Sequence, residues 1–68
     1  MKDKIEVKKI ATPQEAAQLL RQIAEEVEQG KVKIEQVEID LPANFECELK
    51  YKVKEDKKEF EIEFTWRS

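Results

Sequence analysis

The sequence predicts an α+β fold: a mainly antiparallel sheet of four to five strands with one helix packed on one face, in the order β-α-β-β-β-β. Three observations lead there. Two runs, from Phe45 to Lys54 and from Glu59 to Trp66, alternate apolar and charged residues with period two, which gives a strand one dry face and one wet face. One stretch, from Ala16 to Val27, instead repeats its apolar residues at helical spacing. At 68 residues the chain makes one domain, 1–68, with a small core and little margin of stability.

Residues 3–8 alternate with Ile5 and Val7 on one face, and read as a short, polar edge strand guarded by lysines. A helix start follows. Thr12 can cap, Pro13 suits the first helical position, and Glu15 completes a Thr-x-x-Glu capping box worth about 1 kcal/mol. Ala16, Leu19, Leu20, Ile23, Ala24 and Val27 then form one apolar stripe. Gly30 ends the helix, as a residue free to take positive φ. A helix of roughly 17 residues is marginal alone, so its stripe needs a sheet to cover it.

From Lys31 to Leu41 the alternation changes phase: Val32 and Ile34 are even, while Val37, Ile39 and Leu41 are odd. A bulge at Glu35-Gln36 in one long strand explains this, and so does a tight hairpin. The hairpin is the preferred reading. It sets Ile34 against Val37, Val32 against Ile39, Lys33 against Glu38 and Lys31 against Asp40. Pro42-Ala43-Asn44 turns the chain again, either tightly or through a wider connection over 42–48.

The two long runs read as an antiparallel hairpin around Glu55-Asp56-Lys57-Lys58. Charge selects a register with Val53 opposite Phe60, Tyr51 opposite Ile62, Leu49 opposite Phe64 and Cys47 opposite Trp66. The wet face then pairs Lys54 with Glu59, Lys52 with Glu61, Lys50 with Glu63 and Glu46 with Arg67, all opposite in sign. A slip by two residues sets Glu48 against Glu63. The expected turn is the four-residue one at 55–58, with a two-residue turn at Asp56-Lys57 as the alternative.

This order of features resembles the amphi-Trp domain, a small prokaryotic family. The resemblance spans the chain and is carried most specifically by Glu15-Ala16-Ala17 with Leu19-Leu20, and by Glu61-Ile62-Glu63-Phe64-Thr65-Trp66. The chain departs from the family in having Glu35-Gln36 where members have a longer, often Gly-containing stretch. The resemblance implies no known activity and supplies no catalytic residue.

Composition narrows the function classes. There is no His, which removes His-containing metal sites and Ser-His or Cys-His dyads. Cys47 is the only Cys, so there is no disulfide framework within the chain. Thirteen basic residues nearly cancel sixteen acidic ones, against a dedicated nucleic-acid binder. The remaining nucleic-acid reading is a weak contact through Lys50, Lys52, Lys54, Lys57 and Lys58. No apolar run is long enough to span a membrane, and nothing resembles a signal peptide, so the expected compartment is the cytoplasm.

No catalytic, metal-binding or cofactor-binding residue emerges, and the expectation is a non-enzymatic protein. Cys47, in phase with Leu49 and Tyr51, reads as a small buried hydrophobe rather than a nucleophile. Glu46, Glu48, Glu59, Glu61 and Glu63 are interleaved with lysines and read as a solvated face. Trp66 reads first as core and second as an interface anchor, with Phe64 and Tyr51 beside it as possible interface residues. One helix cannot cover so many in-phase apolar residues. The expected partner is therefore a second copy or another protein.

Overall fold

The computed structural model describes residues 3–68. Among them are one helix and four strands: α1 (Pro13–Glu28), β1 (Lys31–Ile34), β2 (Val37–Asp40), β3 (Glu46–Lys54) and β4 (Lys57–Thr65). The fold is α+β, with two two-stranded antiparallel sheets, β1–β2 and β3–β4, in place of the single sheet expected from sequence. The expected edge strand at residues 3–8 does not form, and residues 3–12 have no regular structure. Alternation shows which face a strand would bury, but a strand also needs a neighbouring edge, and this segment pairs with none.

The helix begins as its sequence dictates. Glu15 N–H donates to Thr12 Oγ1 at 3.2 Å, and Thr12 N–H donates to Glu15 Oε1 at 2.9 Å, so both halves of the capping box are made. Pro13 stands in the first turn, where its missing N–H has no helical partner to lose. At the other end Gly30 takes φ +82°, and its N–H donates to Val27 O at 2.9 Å.

The helix end and the first hairpin are tied together. Leu41 N–H donates to Gly30 O at 2.9 Å, and Lys33 N–H donates to Glu26 Oε1 at 3.0 Å. β1 and β2 pair as the phase change required: Ile34 with Val37, Lys33 with Glu38, Val32 with Ile39 and Lys31 with Asp40. Lys31 Nζ lies 3.6 Å from both Glu38 and Asp40 carboxylates.

The long hairpin adopts a different register from the one that charge selected. Tyr51 lies opposite Phe60, Leu49 opposite Ile62 and Cys47 opposite Phe64. Lys52 faces Glu59, Lys50 faces Glu61, and Glu48 faces Glu63. The turn is the two-residue Glu55-Asp56, closed by Lys54 and Lys57. Loop geometry decides here. The tight turn pairs every residue of both nine-residue strands and matches aromatic with aromatic at Tyr51–Phe60. The like pairs Glu48–Glu63 and Lys54–Lys57 cost only about 0.2–1 kcal/mol each, and Lys50 Nζ, 3.9 Å along the strand from Glu48, offsets part of the first.

Both hairpin turns place a glutamate at positive φ: Glu35 at 57° and Glu55 at 41°. Side chains adopt this region at a cost of about 1–2 kcal/mol. Glu55→Gly removes that strain against roughly 0.5–1 kcal/mol of extra chain entropy, so denaturant unfolding will show a net gain of about 0.5–1 kcal/mol. Gly30→Ala will do the opposite. The added Cβ meets nothing within 4 Å, so the loss of about 1 kcal/mol is wholly backbone strain at φ +82°.

Candidate interaction surface

The long hairpin has two unlike faces. One carries Glu46, Glu48, Lys50, Lys52 and Lys54 from β3 and Lys57, Glu59, Glu61 and Glu63 from β4. Lys57 Nζ lies 3.1 Å and Lys52 Nζ 3.4 Å from the Glu59 carboxylate. The other face carries Cys47, Leu49, Tyr51 and Val53 against Phe64, Ile62, Phe60 and Lys58.

That apolar face is not covered. Leu49 and Phe60 are each 67% exposed, Tyr51 64% and Val53 57%. The helix lies against β1, and no described side chain anywhere in the fold is fully buried. Toward the open end of the hairpin the exposure falls. There Phe45 packs in tilted geometry against Phe64, with ring centroids 4.9 Å apart, and against Trp66 at 6.0 Å. An apolar cleft of about 320 Å³ opens beside this aromatic cluster. Its walls are Leu20 and Ile23 from the helix, Val32, Ile39 and Leu41 from the first hairpin, and Ile62, Phe64 and Trp66.

The three residues singled out from sequence therefore separate into two groups. Phe64 and Trp66 meet at the base of the hairpin, where Trp66, 38% exposed, lines the cleft. Tyr51 lies toward the tip, on the same face, opposite Phe60. Leu49, Phe60 and Ile62 belong to the surface as well and were not singled out from sequence. Their number against one short helix was the available signal. Cys47, expected to be buried, is exposed, because nothing covers its strand.

Among the described residues no three His, Cys, Asp or Glu side chains gather in a way that holds a metal ion. No described helix is long and apolar enough to cross a membrane. The hairpin lysines are partly committed: Lys52 and Lys57 bind Glu59, and Lys50 stands beside Glu48 and opposite Glu61.

One helix, two hairpins and an amphipathic strand pair running into a Trp define the class as a small α+β domain. The family model of the Amphi-Trp domain matches residues 1–68, and the chain belongs to that family. Comparison with curated proteins and with solved structures gives no match.

The charged face carries its own pH dependence. Hydrogen bonds from Lys57 and then Lys52, reinforced by their charges, hold the Glu59 carboxyl below its ordinary value of 4.5. A depressed folded value means that the stabilisation is complete above that ordinary value and is lost as pH falls through the lower one. Thermal unfolding followed by circular dichroism will show Glu59→Gln less stable than the parent at neutral pH. The gap will close as the solution is acidified below 4.5. A constant gap down to strong acid would assign the ion pairs no role.

Proposed function

We propose that this domain is a non-enzymatic protein-interaction module whose docking surface is the apolar face of the β3–β4 hairpin. The observation that carries the reading is the exposed row of Leu49, Tyr51, Val53 and Phe60, continuous at its base with the cleft lined by Phe64 and Trp66. Contiguous apolar patches of this kind, rimmed by charge, mark protein contacts. Tyr, Trp and Phe are also the side chains that most often anchor them. The opposite face, with glutamate and lysine interleaved, keeps the hairpin wet on one side and leaves a single side for docking.

Area supports the same reading. The chain exposes 6950 Å². A folded monomer of 8.1 kDa exposes about 4,500 Å². The excess is roughly 2,400 Å², to which the irregular segment 3–12 contributes. A surface of that size is large enough for an obligate partner.

A photo-reactive residue placed at Phe60 will cross-link the module to protein in its host cell. The same group at Glu61, the next residue along and on the charged face, will not. Equal labelling from both positions, or none from Phe60, would remove the docking surface.

A further inference from the structure

We infer that the occupant of this surface is a second copy of the chain, joined edge to edge through β3 around a two-fold axis at Leu49. The inference rests on the docking surface described above and names its partner. The outer edge of β3 is unpaired among the described residues, because β3 is bonded to β4 alone. A nine-residue unpaired edge beside an exposed apolar face is a template for another strand.

Charge picks out which edge meets itself. On its charged face β1 carries only Lys31 and Lys33, and β2 only Glu38 and Asp40. β4 carries Glu59, Glu61 and Glu63 in succession, so any register that pairs most of it with itself sets Glu on Glu. β3 alone has the order Glu46, Glu48, Lys50, Lys52. Antiparallel to its own copy and centred on Leu49, it sets Glu46 against Lys52 and Glu48 against Lys50, each twice by symmetry. Every one of these charged pairs is opposite in sign. Sliding the register by two residues places Lys50 on Lys50 in one direction and Glu48 on Glu48 in the other.

The apolar side fits the same register. Leu49 meets Leu49, Cys47 meets Tyr51, and Phe45 meets Val53 of the second copy. The two hairpins become one four-stranded antiparallel sheet with a common apolar face. The two-fold also sets the bare tip of one hairpin beside the base of the other, where the second copy's helix and first hairpin stand over the cleft. The part of each hairpin that its own helix leaves exposed is thus brought next to the helix of its partner.

Light scattering after size exclusion tests the state of the full chain across a concentration series, and the expected mass is twice 8.1 kDa. Two variants test the register. Glu48→Lys improves the chain's own hairpin, since the new lysine faces Glu63, yet it sets lysine against Lys50 twice across the two-fold. It will weaken the dimer about tenfold or more while the circular dichroism of the hairpin is kept. The double variant Glu48→Lys/Lys50→Glu restores the opposite pairs between copies and will recover dimerisation. In a Cys47→Ser background, Leu49→Cys will form a disulfide between copies under mild oxidation and Val53→Cys will not.

A monomer at every concentration would overturn the inference, and so would a ladder of larger species, the mark of β3 meeting β4 head to tail. A Glu48→Lys dimer as tight as the parent, or cross-linking from Val53→Cys as readily as from Leu49→Cys, would overturn the register. The photo-reactive group at Phe60 separates this inference from the broader one. A monomer that captures a different protein through Phe60 leaves the docking surface standing and removes the second copy. A monomer that captures nothing removes both.

Discussion

One constraint governs this structure: the chain has more apolar strand surface than one helix can cover. Strand alternation commits nine positions of the long hairpin to a dry face, and the helix stripe has only six apolar residues to offer. The helix lies against β1, to which the chain ties it within a few residues through Gly30, Leu41 and the Glu26–Lys33 hydrogen bond. The long hairpin is left to make its contacts at one end only. The aromatic cluster of Phe45, Phe64 and Trp66, the cleft beside it and the bare tip follow from that one shortage.

The local devices of the fold were legible in the residues because each is decided within a few positions. The Thr12–Glu15 capping box, Pro13 in the first turn and the positive φ at Gly30 depend on nothing distant. The first hairpin was legible for a related reason. Its phase change at Glu35-Gln36 allows few pairings, and the hairpin pairing also satisfies two lysine–acid pairs. The Glu35-Gln36 turn contains no Gly, and Glu35 takes the positive φ of 57° instead.

The long hairpin shows where such reading stops. Its two strands and their two faces were evident from period two, but registers two residues apart share the same faces. Charge pairing separated them by a few tenths of a kcal/mol per pair, and closure of the tight two-residue turn outweighed that. The candidate surface was half legible for the same reason. Phase groups Phe64 and Trp66 with Tyr51, yet phase cannot tell a covered face from a bare one. The edge strand at residues 3–8 failed likewise, since alternation in Ile5 and Val7 carries no information about whether an edge lies within reach.

The charge order on the two long strands has a consequence for how an exposed sheet edge is managed. A bare, nine-residue amphipathic strand invites indefinite pairing with its neighbours. On β4 the three successive glutamates make self-pairing repulsive and close that edge. On β3 the block of glutamates followed by the block of lysines is self-complementary only when the strand is turned end for end, which is the arrangement of a two-fold axis. A two-fold contact uses the same edge of both copies and leaves none over, so association of that kind stops at two. The like pair Glu48–Glu63 inside each hairpin fits this account. A lysine at 48 would face Glu63 within the hairpin, but it would break the order of glutamates followed by lysines on which the proposed meeting of two β3 edges depends. In the proposed two-fold contact, the residue that looks misplaced within one chain is the one whose charge would be used between two.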